Sequence, residues 1–236
     1  MEIFSKFVKA IKEFSLVNNG DKIAIGLSGG KDSLTLVDLF SKLKKTTIVD
    51  FDFTVITIDM FDGQYDLSKL SEFCKSRGIE LHIVKTQIYD ILFNVRKEKN
   101  PCSLCSSLRK GQLVSAAKEL GCNKIALGHH GDDFIETFFM SLAFESRLST
   151  FSPLSYLDRT KIYQIRPLIY IRESEIINYS KDFPIFKNPC PADKHTKRQE
   201  IKDTLAEFEK VNKDFRDNVL VALLDKSRHQ NFFAGQ

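Results

Sequence analysis

No stretch of this 236-residue chain approaches the roughly 20 consecutive apolar residues that span a bilayer, which sets aside a helical membrane protein. The opening Met1-Glu2-Ile3-Phe4-Ser5-Lys6 alternates charge and apolarity and lacks the continuous apolar run of a signal peptide, so a cytoplasmic protein is expected. Internal repeats and low-complexity tracts are missing, and charge and apolar content are those of an ordinary globular protein, not of a disordered or fibrous one. Tryptophan is absent; the aromatic load falls on 20 phenylalanines, most of which belong to a core. Cysteine is scarce and odd in number, at five. A reducing compartment disfavours disulfides, so clustered cysteines are better read as ligands or redox thiols. The net charge of +4 permits a nucleic-acid partner without requiring one.

What is present alternates short apolar runs with amphipathic stretches. Residues 2–17 set Ile3, Phe4, Phe7, Val8, Ile11 and Phe14 on one helical stripe. Strands are expected over 22–27, 53–58, 79–84, 124–127 and 162–165. Helices are expected over 32–45, 67–77, 106–120, 132–144, 172–181, 197–211 and 215–226. Strands alternating with helices imply right-handed crossovers and an α/β fold, a doubly wound parallel sheet with a helical C-terminal end. One domain over 1–236 accommodates this, with an N-terminal helix in 1–20, an α/β core in 21–170 and a helical part in 171–236.

Residues 23–27 run into Ser28-Gly29-Gly30-Lys31-Asp32-Ser33 and then into an apolar-periodic helix, which is where such folds bind ligands. Glycines let successive N–H groups face an anion, and the helix N-terminus adds partial positive charge. Lys31 offers phosphate a point charge, and Ser28 and Ser33 offer hydroxyl donors. A Walker loop is excluded, because Gly26 and Gly30 are one residue too close and Asp32 follows Lys31; the dinucleotide fingerprint is missing as well. The plain alternative is a strand-to-helix turn capped by Asp32, but two glycines, a lysine and two serines in six residues favour phosphate. After the fourth strand comes Gly128-His129-His130-Gly131-Asp132-Asp133. Asp132 or Asp133, with Asp32, can hold Mg²⁺ against a nucleotide's phosphates, or Asp132 can simply cap the helix. Adjacent histidines point in different directions and make a poor metal pair. Asp59, just past the second strand, is a further nucleotide-site candidate.

Cys102-Ser-Leu-Cys105 places two sulfurs on one side of a loop, and Cys190, between Pro189 and Pro191, can close a three-thiolate site. Three thiolates leave a coordination position free, whereas a structural zinc normally takes four protein ligands. A redox dithiol with Cys190 incidental, or zinc completed by His195, remains open on these residues alone. Cys74 and Cys122 fall in packing segments and read as buried thiols.

Ser28 to Ser33 and Gly128 to Asp133 together resemble the PP-loop ATPases, whose loop reads Ser-Gly-Gly-x-Asp-Ser and whose later segment reads Gly-His-His-x-Asp-Asp. Within that family, Cys102 to Gly111 is similar to the tRNA 2-thiocytidine synthetases, as are Ile165-Arg166-Pro167-Leu168 and Arg198-Gln199. The resemblance spans about residues 21–203; the third-cysteine segment departs from it by having no second cysteine nearby. It implies an adenine nucleotide α-hydrolase-like fold and cleavage of ATP between its α- and β-phosphates. It implies ATP on Ser28 to Ser33, Gly128 and His129, with Mg²⁺ near Asp32, Asp132 and Asp133. It also implies a [4Fe–4S] cluster on Cys102, Cys105 and Cys190 whose unligated iron can carry sulfur. Lys31, Asp32, Asp133 and the three cysteines are then the catalytic set. A tRNA cytidine is the implied substrate, adenylated and then thiolated at its 2-position, with a sulfur donor such as a cysteine desulfurase and a homodimeric assembly. Basic residues including Lys181, Lys187, Lys194, Lys197, Arg198 and Lys202, with Arg109 and Lys110, can hold an RNA backbone, although solvated helix faces explain most of them equally well. Two rival readings are a tRNA lysidine synthetase, which needs no three cysteines, and a non-catalytic zinc or RNA-binding protein on the same fold.

Overall fold

The computed structural model describes residues 2–98, 101–186, 190 and 197–229. Its sheet contains β1 (Asp21–Gly26), β2 (Phe51–Asp59), β3 (Leu81–Lys85), β4 (Lys124–Ala126), β5 (Leu154–Leu157) and β6 (Ile162–Ile165), in the order β3-β2-β1-β4-β6-β5. Five of these run parallel; β5 pairs antiparallel with β6 at the edge, Leu154 opposite Ile165. The five expected strands form the parallel sheet, and β5 is an edge strand added to them that was not expected. A four-residue edge strand with one half-polar face is too short to stand out by alternation.

The helices are α1 (Glu2–Glu13), α2 (Lys31–Lys44), α3 (Ser68–Lys75), α4 (Ile88–Asp90) with a π-helical continuation (Ile91–Val95), α5 (Pro101–Glu119) and α6 (Gly131–Glu145). After them come α7 (Glu173–Tyr179), α8 (Lys197–Val211) and α9 (Phe215–Leu224). α5 begins at Pro101, earlier than the expected 106, because proline is well suited to a first helical turn, where its missing N–H has no partner to lose. The cysteine pair therefore lies on a helix and not on a loop.

Two layers cover the sheet. On one face Phe7 of α1 meets Phe40 of α2 edge-on at 5.3 Å, and Phe40 meets Phe51 of β2 at 5.9 Å; all three are fully or almost fully buried. On the other, Leu113, Val114 and Ala117 of α5 pack on Ala24, Ile56 and Ile125. Most phenylalanines do belong to or border this core, and Cys74 and Cys122 are buried within it. β1 is flanked by β2 on one side and β4 on the other, so the chain leaves the sheet in opposite directions at this point. A crevice opens at the carboxyl ends of β1 and β4, where both glycine-containing segments begin.

Candidate active site

Strand pairing carries up to the mouth of the phosphate loop, where the Leu27 N–H donates to Ile56 O at 2.8 Å. Gly29 then takes φ +84°, a region that side chains disfavour, and a Cβ there would lie 2.7 Å from Phe186 Cβ. The loop closes on itself: the Ser28 N–H donates to Ser33 Oγ at 3.2 Å, Ser33 Oγ donates to Gly30 O at 3.0 Å, and the two hydroxyls are 3.1 Å apart. Gly30 precedes α2 with extended backbone and no side-chain cap, leaving first-turn N–H groups for an anion.

The segment after β4 lies directly on this loop. A Cβ on Gly128 would stand 3.1 Å from both Asp32 C and Ser33 N, so only glycine allows the approach. His130 caps α6: its Nδ1 accepts the Asp133 N–H at 3.3 Å, and Asp133 Oδ2 accepts the His130 N–H at 3.0 Å. His130 Nε2 lies 3.8 Å from Asp32 Oδ1 and 3.5 Å from Asp133 Oδ2, bringing the two carboxylates to one imidazole. Burial pushes the Asp32 pKa up, against the attraction of His130 and Lys31; its buried Oδ1 makes no hydrogen bond and is ion-paired with Lys31 Nζ at 3.3 Å. Two carboxylates gathered on one imidazole beside a phosphate loop fit a divalent cation.

Cys102 and Cys105 stand three apart near the start of α5, on one helix face. With Cys190 they line a cavity of about 650 Å³ whose opposite wall is Ser28, Asp32, Ser33, Gly128, His129 and Asp133. Cys102 is exposed, and Cys105 and Cys190 are half-buried. Burial raises the Cys105 pKa; Arg109 opposes the rise, and Cys190 and Cys102 add to it, so the three sulfurs are within electrostatic reach of one another. Among the described residues no three His, Cys, Asp or Glu side chains gather tightly enough to hold one metal ion. Three thiolates on one cavity wall match a four-iron cluster in kind and number, with one iron left for a ligand from outside the protein, so this donor set fits a cluster. His195, the proposed completion of a zinc site, lies outside the described residues, as do Pro189 and Pro191.

Residues 3–208 match the family described as a PP-loop domain. The tRNA-cytidine(32) 2-sulfurtransferase of Pseudomonas entomophila (strain L48) is 37% identical over 219 residues, which cover 91% of this chain and 80% of that protein. The enzyme of the same name from Pelobacter propionicus is 37% identical over 220 residues, 91% of this chain and 82% of the relative. The chain belongs to the PP-loop family, on its tRNA-cytidine 2-sulfurtransferase branch. The U34-tRNA thiolase NcsA from Methanococcus maripaludis, solved with its [4Fe-4S] cluster, superposes with a TM-score of 0.75 at 26% identity, over 94% of this chain and 77% of that one.

Within this PP-loop site, three residues chosen from the sequence are engaged by the protein itself. Asp132 does not line the cavity, and His130, not Asp132, caps the helix. Asp132 is 4% exposed and accepts from Arg172 Nε at 3.1 Å, Arg216 Nη1 at 3.2 Å and the Glu173 N–H at 2.6 Å. Burial works against its charge, but these donors outweigh it and hold its pKa low. Lys31 points to Asp32 at 3.3 Å and Glu173 at 3.0 Å and does not line the cavity. The cations that do line it are Arg109, Lys110 and Arg166. Asp59 accepts the N–H groups of Phe61 at 2.9 Å and Gly63 at 2.6 Å, which shapes the turn that brings Met60 to the cavity. Arg198 donates to Asp133 and Glu136, each at 3.3 Å, and so holds the second carboxylate in place.

Sequence reasoning named Arg166 only within a family-like segment and gave neither it nor Gln164 a place in the cavity. Gln164 and Arg166 both line it, Gln164 being 2% and Arg166 8% exposed. The available signal was their spacing of two along the end of a strand, which puts both on one face. His129 also lines it; burial chiefly, with nearby Arg166, Arg198 and His130, lowers its pKa to about 4 despite Asp133, so the ring is neutral at neutral pH.

Proposed function

We propose that this protein performs ATP-dependent tRNA thiolation, adenylating an anticodon-loop cytidine and replacing its 2-oxygen with sulfur. One observation carries the reading: the phosphate loop and all three clustered cysteines line the same cavity, so an activated base need not move to meet its sulfur. ATP lies with its phosphates on Ser28 to Ser33, against the α2 N-terminus. Asp32 and Asp133 are the residues that would hold Mg²⁺ there, while Lys31 fixes the Asp32 carboxylate from behind and Arg109 and Lys110 supply positive charge from α5. The cytidine 2-oxygen attacks the α-phosphorus; the bond to the β-phosphate breaks, and pyrophosphate leaves. Sulfide then adds at C2, and AMP departs with the former carbonyl oxygen. A [4Fe–4S] cluster on Cys102, Cys105 and Cys190 supplies, when bound, an iron with no protein ligand at which sulfur can be held. The apolar part of the lining, Ile56, Ile58, Met60 and Leu127, gives the base and adenine a surface to pack on.

A homodimer, a cysteine desulfurase as sulfur donor and a cytoplasmic location complete the proposal. Among the described residues no helix is long and apolar enough to cross a membrane. The test is anaerobic purification with iron, acid-labile sulfide and zinc measured per chain, beside a Cys102→Ser control. Iron and sulfide in four-iron proportion, lost in the control, support the reading. Zinc alone, or a product that depends on added lysine, overturns it.

A further inference from the structure

Besides Asp32 Oδ1, three residues that line the cavity each bury a polar atom with no hydrogen-bond partner: Gln164 Oε1, Arg166 Nε and His129 Nδ1. Elsewhere Arg166 is well anchored, its Nη1 donating to Ser152 O and, at 3.3 Å, to Ser155 Oγ, so the unused Nε is not a sign of a loose side chain. Folded proteins rarely leave such groups unpaired, and where they cluster on a ligand cavity the ligand is the natural partner. We propose that Gln164 and Arg166 read the pairing edge of the target base and make the cavity selective for cytosine over uracil. The inference rests on the tRNA thiolation reading above and adds the residues that choose the base.

The chemistry of the two edges explains why two residues are needed. Cytosine presents a donor at N4 followed by acceptors at N3 and O2. Uracil presents acceptors at O4 and O2 with a donor, N3–H, between them. The Gln164 carboxamide can accept from N4–H of cytosine, and a turn about its terminal torsion lets it donate to O4 of uracil instead, so alone it would not discriminate. Arg166 is a donor only and cannot reverse. Beside N3 of cytosine it finds an acceptor; beside N3–H of uracil it meets another donor. The mismatch leaves buried polar groups unpaired, which is the costly way to bind the wrong base.

The test compares two anticodon-stem hairpin RNAs that differ only by cytidine or uridine at the target position. Binding to the cluster-loaded protein is measured for the wild type and for Arg166→Gln, with ATP affinity and melting temperature measured alongside. The wild type should prefer the cytidine hairpin by about tenfold or more, as one lost hydrogen-bonding match implies. Arg166→Gln should bind the two hairpins equally with ATP affinity unchanged, because an amide at this position can turn to complement either N3 or N3–H. A purely structural Arg166 would instead show a lower melting temperature with base preference intact. Equal or no binding by the wild type, or a preference that survives in Arg166→Gln, overturns the inference. A preference for cytidine without any thiolation would uphold it and overturn the thiolation reading.

Discussion

Replacing Gly128 with alanine adds one methyl group where the two halves of the nucleotide site touch. The new Cβ would sit 3.1 Å from Asp32 C, 3.1 Å from Ser33 N and 3.3 Å from Asp32 O, whereas ordinary contact begins at 3.4 Å. All three neighbours are backbone atoms, so no side chain can swing away. The start of α2 is held by the Leu34 N–H on Gly30 O at 3.1 Å, and the segment before Gly128 by the Leu127 N–H on Ile165 O at 3.0 Å. The separation must therefore open by a few tenths of an ångström between two anchored loops, an overpacking cost of about 1–3 kcal/mol. For a chain of this size that lowers the melting temperature by about 2–12 °C. The phosphate loop is also displaced from Asp133, so ATP affinity, read by calorimetry with a non-hydrolysable analogue, should fall about tenfold or more. Gly111→Ala is the control: it lies within α5 with nothing within 4 Å of a new Cβ and should gain about 0.5–1 kcal/mol without touching ATP affinity. Wild-type melting and wild-type ATP affinity in Gly128→Ala would refute the close approach.

Asp132→Ala should destabilise the fold by about 1–3 kcal/mol, seen in denaturant melts, because it removes a buried carboxylate shared by Arg172 and Arg216, which are left with Glu209 between them. Asp32→Asn should leave stability unchanged or higher at neutral pH, since burial already disfavours its charged form, yet lose the magnesium dependence of ATP binding. His129 carries a folded-state pKa of about 4, below its value of about 6.5 in the unfolded chain. The unfolded chain thus binds the extra proton first, and stability present above pH about 6.5 is lost as pH falls towards about 4, by roughly 3 kcal/mol. Acid melts of His129→Asn should lack that component. Alkylation of Cys105 in the cluster-free protein should be slow at neutral pH and accelerate only above the usual thiol range, and Arg109→Ala should slow it further.

Much of this site is written in local patterns. A buried strand, then two glycines and a serine pair, has few uses other than to hold an anion, and the observed β1 and α2 fall within a residue or two of their expected places. β6 and α8 coincide with their expected ranges because periodicity there is uninterrupted. The missed features depend on contacts distant in sequence. Asp132 and Asp133 are neighbours of the same type, and only the arrival of Arg172 and Arg216 on one and of His130 and Arg198 on the other separates a structural carboxylate from a cavity-facing one. Lys31 is drawn from the cavity by Glu173, more than a hundred residues away in the chain. Gln164 and Arg166 look like ordinary residues of a strand and its end until the fold shows that both line the cavity and each buries an unpaired atom.

The central claim is that ATP activation and sulfur delivery meet in one cavity through three cysteines. The direct measurement is 2-thiocytidine in tRNA, by mass spectrometry of nucleosides, after anaerobic incubation of the cluster-loaded wild type and of Cys190→Ser with ATP and sulfide, with pyrophosphate release followed in the same tubes. The wild type should form 2-thiocytidine, and Cys190→Ser should release pyrophosphate while forming none. Thiolation by Cys190→Ser at the wild-type rate would contradict the account.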